Sequence, residues 1–407
     1  MSVSLADYRS ALSVPGATLP VVFSAIGRLP IAMYSFGTLL YVQRAEGSFA
    51  TAGLVSAGSL VGVAIGTVAQ GRLMDRRGPS GVLLVVSTLF ALAAAALVAG
   101  VEWGAPVPVV VGLAFASGLV MPAMPAATRA LWERLVSGRR REAALSYEAI
   151  SLEVFFILGP GLAALLASTP WPGTGTAVAV VATVIGAVGF ALTGPVRATP
   201  AMRPAVRPSL LGAIGSPGMR TAALSGLGFG LVVGAVELGV PAVAGGHGEP
   251  WLGGALLSAW SVTSVIVGVL YGMRPWPRAL HLRMPVLVAG FGVLVLLMWA
   301  TASSLPLLVV AMLLAGGLIT PQTTGQSLVV DVVAPPGTQT EAFGWVVTAI
   351  TVGAAVGQSV AGTVVEAWGA SGAFAVGGVA GVLVGVVLWL RRRTIESPAD
   401  VVQLSLH

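Results

Sequence analysis

The chain contains no cysteine, so neither a disulfide framework nor thiol chemistry enters its function. Lysine is absent as well: all 21 basic residues are arginine, a bias expected of a GC-rich genome and silent about mechanism. Only three histidines occur, His247, His281 and His407, in loops or the tail. Metal clusters and Ser/His pairs therefore have no material at membrane depth. Charge itself is scarce. Only 9% of the 407 residues are charged, 56% are hydrophobic and the mean hydropathy is +0.94, too few charges to cover a soluble protein. The expected solvent is lipid.

Alternating strand patterns of the barrel kind are also missing. What recurs instead is the apolar run of about 20 residues that a spanning helix needs. Twelve spans are expected, at 15–42, 49–70, 80–101, 106–131, 143–168, 174–196, 217–245, 250–273, 283–301, 305–330, 340–366 and 371–391. The start, MSVSLADYRS, lacks a short apolar core with a cleavage site, so the first run reads as a retained helix and not a removed signal.

The arginines orient these spans. With both termini cytoplasmic, every arginine except Arg44 and Arg28 falls in or beside a cytoplasmic segment, most densely at Arg72, Arg76 and Arg77, at Arg139 to Arg141 and at Arg391 to Arg393. This is the positive-inside pattern of a multi-pass protein, here expected in a bacterial cytoplasmic membrane. It excludes a nucleic-acid partner, because the charge is dispersed over loops and forms no single basic face.

The chain is also duplicated. Gly118, Leu119, Pro122, Gly138, Glu142 and Ala143 return as Gly317, Leu318, Pro321, Gly337, Glu341 and Ala342. A second stretch repeats Leu54, Ser56, Ala57, Ser59, Gly66 and Arg72 as Leu256, Ser258, Ala259, Ser261, Gly268 and Arg274. Duplicated halves in a very apolar chain mark transporters that rock two bundles about a central site. The expected organisation is an N-terminal six-helix bundle at 1–196, a Pro- and Arg-rich cytoplasmic linker at 197–216, a C-terminal six-helix bundle at 217–393 and a polar tail at 394–407.

Between spans 2 and 3 the sequence reads GRLMDRRGPSG, from Gly71 to Gly81. Gly71, Asp75, Arg76 and Gly78 match a signature loop, and the chain resembles the major facilitator superfamily over essentially its whole length. Pro79 and Ser80 depart from the basic pair usual there, and the second copy after Gly268 keeps Arg274 without the Asp. The resemblance implies a conformational gate at Gly71, Asp75, Arg76, Gly78 and Glu341, with Asp75 latched to the start of span 11. There Thr338 and Glu341 are spaced as a capping box. The bland reading of DRRG is a charged turn that anchors topology, but topology needs Arg and has no use for Asp.

Span 5 carries Gly159, Pro160 and Gly161, which resemble the Gly-Pro element of drug/proton antiporters in that superfamily. Phe155, Ala163 and Ala164 stand where that pattern has glycine. A helix kinked at Gly159 and Pro160 is the minimal inference, and export is what the resemblance implies. Against it, span 4 lacks a buried Arg near Ala114.

Ionisable residues at membrane depth point to the site, since each costs roughly 2.5–3.5 kcal/mol or more unless paired or wetted. Arg28 lies roughly 20 Å into span 1 and Glu153 roughly 15 Å into span 5, by 1.5 Å per residue. Pro30 releases backbone carbonyls beside Arg28. The two are expected to pair, either as a structural ion pair or in transport. Glu148 reads as close enough to the cytoplasm to need no special account. Glu237 in span 7 has no basic partner in spans 7 to 12, so it is either protonated or facing a cavity, and suits a proton carrier or a binder of cations. Gln322, Gln326 and Gln358 offer neutral hydrogen bonds for substrate or for helix packing.

Enzyme readings fail on inventory, and GLGFG at Gly226 to Gly230 lies inside a span, where it reads as packing glycine and not a nucleotide loop. Small residues at Gly62/Gly66, Gly230/Gly234 and Gly353/Gly357 likewise predict close helix contacts. The expectation is an all-α, twelve-helix secondary transporter working by alternating access as a monomer. Its substrate is small, its coupling ion a proton, and neither cofactor nor metal is expected. Proton-coupled efflux of small, partly apolar organic compounds leads. Uptake of a small organic anion on Arg28 is the alternative, and a non-transporting membrane receptor the third class.

Overall fold

Every regular element among the described residues is helical. The computed structural model describes residues 9–10, 12–199, 213–273, 279–335 and 338–395. Twelve helices are long and apolar enough to cross a bilayer: Thr18–Glu46, Phe49–Arg77, Pro79–Glu102, Val107–Trp132, Gly138–Ala167 and Thr174–Leu192 in the first half, then Pro217–Gly246, Trp251–Tyr271, Leu280–Thr301, Leu305–Val333, Glu341–Trp368 and Gly372–Ile395. They are numbered spans 1 to 12. Large apolar side chains such as Leu92, Leu165 and Leu383 stand about 60% exposed on their outer faces, which is tolerable only against lipid.

Local chemistry sets the ends. Proline opens spans 3 and 7 at Pro79 and Pro217, and the helix Pro250–Gly272 that contains span 8, where a missing N–H has no helical partner to lose. Ser216 adds a side-chain cap, its Oγ accepting from the Met219 N–H at 3.1 Å. Span 5 starts at Gly138, five residues before the expected 143, because Arg139, Arg140, Arg141 and Glu142 continue the helix into the polar region. The expected Thr338/Glu341 capping box does not form. The Thr338 side chain makes no cap bond and donates to the Pro335 carbonyl at 2.8 Å, while Glu341 accepts from the Ala213 N–H and Trp345 Nε1, both at 3.3 Å. Most of the linker, together with Arg274, Arg278 and Gly337, lies outside the described residues.

Three spans are interrupted where backbone bonds cannot be made. Span 1 divides into Thr18–Arg28 and Pro30–Glu46 at the predicted proline. Spans 4 and 10 break as well, between Val120 and Met124 and between Gly316 and Ile319, about one turn apart in the register of the repeat. Gln70 of span 2 repairs the first of these: its Nε2 donates to the Leu119 and Met121 carbonyls at 3.1 and 2.9 Å, and its Oε1 accepts from the Ala123 N–H at 2.9 Å.

The chain divides into two compact units, Met1–Glu46 with Val61–Arg207 and Gly47–Leu60 with Pro208–His407. The opening turns of span 2 thus belong to the second unit. Inside each unit the predicted glycine pairs let backbones touch. A Cβ on Gly62 or Gly66 would meet the Phe115 or Leu119 carbonyl of span 4. In the second unit the pairs are reciprocal: Gly230 and Gly234 lie on the Ile350 and Ala354 carbonyls, and Gly353 and Gly357 on those of Leu227 and Leu231. Gly230→Leu is therefore expected to lower stability by about 1–3 kcal/mol or more, read as a reduced midpoint of thermal unfolding in detergent. Gly81→Ala meets nothing within 4 Å and should leave it unchanged; an unaltered midpoint for Gly230→Leu would refute the packing.

Candidate functional site

Among its described residues, the first unit buries one cation and surrounds it. Arg28, 2% exposed, ends the first piece of span 1. Its Nη1 lies 2.6 Å from Glu148 Oε2, its Nη2 donates to Ser151 Oγ at 3.0 Å, and its Nε donates to the Ser24 carbonyl at 3.4 Å. The Phe155 ring covers the guanidinium at 5.5 Å. Glu148 in turn accepts from Thr128 Oγ1 at 3.1 Å and Trp132 Nε1 at 2.9 Å, both from span 4. The expected Arg28/Glu153 pair is thus incorrect. Glu153 is half-buried and makes no hydrogen bond or ion pair among the described residues.

The difference between the two carboxylates is one of depth. Counted from the observed starts, Thr18 and Gly138, Arg28 and Glu148 each lie ten residues along their helices, and odd-numbered spans cross in the same sense. They are level. A helix starting at 143 would leave Glu148 shallow and set Glu153 level with Arg28; the observed start at Gly138 exchanges them. Thr128, Trp132 and Ser151 carried no signal that pattern reading could weigh, because each is an ordinary residue until the carboxylate between them is located.

Farther along the same unit, Tyr34 donates to Ser117 Oγ at 2.7 Å, its ring edge-on to Phe90. Tyr41 and Trp171 both donate to Glu102 Oε1 at 2.7 Å. Arg44, expected in a loop, continues the helix of span 1 and donates to the Ala167 carbonyl at the end of span 5, where a cation meets the negative end of a helix. Gly159 abuts Ala32 and Met33 of span 1, and Pro160 lies inside the unbroken helix Gly138–Ala167.

The predicted gate segment is helix, not loop. Span 2 runs through Asp75, Arg76 and Arg77, and Gly78 alone makes the turn, at φ +80°, before Pro79 opens span 3. That accounts for the departure at Pro79: in so short a turn this position is the first of the next helix, which proline suits. Gly71 and Asp75 line a cavity of about 450 Å³ with Met74, Pro79, Ala126, Ala127, Ala130, Arg134, Arg141 and Thr199. Arg134 donates to Thr199 Oγ1 across its rim at 3.0 Å.

The second unit holds a different chemistry. Glu237, partly exposed in span 7, accepts from Gln358 Nε2 of span 11 at 2.8 Å, and no ion pair engages it among the described residues. Gln322 Nε2 donates to Ser225 Oγ at 3.1 Å and Gln326 Nε2 to the Ala222 carbonyl at 3.3 Å, both bridging spans 10 and 7. The Oε1 atoms of all three glutamines are buried without a donor. Glu237 is twelve residues beyond Ser225, roughly 18 Å at 1.5 Å per residue. The glutamines of span 10 therefore form a separate group from the Glu237/Gln358 pair.

The family model described as Major Facilitator Superfamily matches residues 18–316 and 279–403. No curated protein sequence matches the chain. Among solved structures, the fold is similar to that of a mutant form of the nucleoside transporter NupG, with a TM-score of 0.72, 11% identity, 92% of this chain and 99% of that chain covered. It is also similar to a bacterial homologue of the iron transporter ferroportin in an inward-facing state, at TM-score 0.71 and 14% identity over 96% and 99% of the two chains. A D-xylose-proton symporter matches at TM-score 0.70 and 14% identity, covering 91% and 97%.

Proposed function

The chain belongs to the major facilitator superfamily, and from that premise we propose that it is a proton-coupled exporter of small, partly apolar organic compounds, working by alternating access. The observation that carries this reading is Glu237, a carboxylate inside a span whose one hydrogen bond among the described residues comes from a neutral amide. A carboxylate so placed can gain and lose a proton without breaking an ion pair. Export rests on the Gly159/Pro160 element. Export is preferred here to anion uptake on Arg28, because Glu148 pairs with that guanidinium and Ser24 and Ser151 accept two further hydrogen bonds from it.

Flux in reconstituted vesicles with an imposed pH gradient, screened across cationic, neutral and anionic compounds, tests this reading. Accumulation of a cationic or neutral compound driven by the gradient is expected. Flux of anions alone would favour uptake, and no flux of any kind a receptor.

The orientation, with both termini cytoplasmic, has its own test. Single cysteines at Trp103 and Glu249, both exposed between spans, should react with an impermeant thiol reagent added outside intact cells. One at Ser137 should react only after lysis, and the opposite pattern would invert the topology. Asp75 is proposed as a conformational gate. Asp75→Asn should leave expression intact and slow transport roughly fivefold, the factor that about 1 kcal/mol of lost charge contact represents; unchanged flux would reduce the segment to a topological turn.

A further inference from the structure

Span 2 is one unbroken helix, Phe49–Arg77, yet it is shared: Gly47–Leu60 belongs to the second unit and Val61 onward to the first. Its hold on the first unit is deep and dry. Gln70 is 4% exposed and its amide makes three hydrogen bonds to the broken turn of span 4, while Gly62 and Gly66 lie on carbonyls of that same span. Pulling this amide away would strand buried donors and acceptors, the most costly way to lose a hydrogen bond.

The hold on the second unit differs in kind. Ser48 caps span 2, its Oγ accepting from the Thr51 N–H at 3.0 Å and donating to Glu366 Oε1 near the end of span 11. The same carboxylate oxygen accepts from the Ala50 N–H at 3.1 Å. A carboxylate at the first turn of a helix is where the macrodipole favours it. Beside this cap the two helices meet at glycines, Gly362 on the Phe49 carbonyl and Gly53 on the Gln358 carbonyl. Glu366 is exposed and Ser48 half-buried, so water can take over their bonds when they part. A contact built on glycine has no side chain of its own to withdraw.

An alternating-access cycle moves two bundles against each other, and one rigid helix cannot stay packed on both. One hold has to release, and the wet one is the cheaper to break. We infer that the Glu366/Ser48 cap is a latch on the outer side of the protein, closed here and released when the substrate pathway opens to that side, span 2 leaving the second unit and staying with the first. Span 2 then carries a gate at either end, the one proposed at Asp75 and this one at Ser48. The inference rests on the proposed alternating access and orientation, and needs neither proton coupling nor the identity of the substrate.

Spin labels test it, since the chain has no native cysteine. Leu54→Cys with Ser303→Cys joins the outer part of span 2 to the exposed turn between spans 9 and 10, and double electron–electron resonance in lipid nanodiscs reads the distances between them. Leu54 stands beyond the first turn, so fraying of an uncapped helix end does not move it. Two distances are expected. Glu366→Ala or Ser48→Ala should raise the longer relative to the shorter by roughly two- to fivefold, the range for removing an anion from a helix N-terminus. Ser303→Cys with Ala367→Cys, both in the second unit, should keep a single distance throughout. One unchanged distance for the first pair in the parent and both alanine variants would overturn the latch and leave a static cap, as would equal shifts in both pairs. Flux driven by a pH gradient is read alongside. Flux with a cap that never opens removes the latch and leaves the exporter reading, whereas an opening cap without pH-driven flux keeps the latch and removes proton coupling.

Discussion

Arg28→Gln is expected to unfold much of the protein by stranding Glu148 in the first unit, and Glu148→Gln in the same chain is expected to restore it. Breaking a buried ion pair by removing one partner costs about 3–5 kcal/mol, because the remaining charge is left uncompensated. Here that charge would keep only Thr128 and Trp132 as donors. The double variant removes both charges and keeps amides that can bond each other and the same neighbours. The midpoint of thermal unfolding and the monodisperse yield in detergent report the outcome. Rescue by Glu153→Gln instead would contradict the observed pairing. A rescued double variant that transports normally would assign the network to folding alone, while one that folds and does not transport would give it a part in the cycle.

Glu237→Gln should abolish the response of flux to a pH gradient, by tenfold or more, and leave the fold intact. The amide preserves shape and can still accept from Gln358 Nε2, but it cannot titrate. Exchange of substrate across vesicles at uniform pH should persist. Glu237→Leu is different: it leaves both polar ends of a buried Gln358 without partners, and about 1–3 kcal/mol of stability should be lost with the coupling. Full gradient-driven flux through the Glu237→Gln protein would exclude this residue as the proton carrier.

The spans, the duplication and the break of span 1 at Pro30 were legible because they depend on local covalent facts, whereas the breaks in spans 4 and 10 were not read. Proline cannot donate at Pro30, a run of about 20 apolar residues can cross only as helix, and glycine at four spacing marks where backbones meet, as Gly230 and Gly353 do. The Thr338/Glu341 cap was equally local in appearance and failed. Glu341 found donors in Ala213, across more than a hundred residues, and in Trp345. Sequence spacing says which bonds a side chain can make, not which competitor reaches it first.

The sequence by itself determined the solvent, the helix count, the two-fold repeat and the existence of a few costly charges, because hydropathy and backbone bonding act within a helix and are read along it. Which charges meet was decided only in three dimensions. A shift of five residues in one helix start moves a side chain by about 7–8 Å along the axis, more than the reach of a salt bridge. That shift is the difference between Glu153 and Glu148 as the partner of Arg28. The unpartnered oxygen of Gln358 is likewise a tertiary fact, since it arises from which neighbour claims the other end of the amide. Composition records that polar groups are present; packing decides which are left unsatisfied, and those are the groups available to bind.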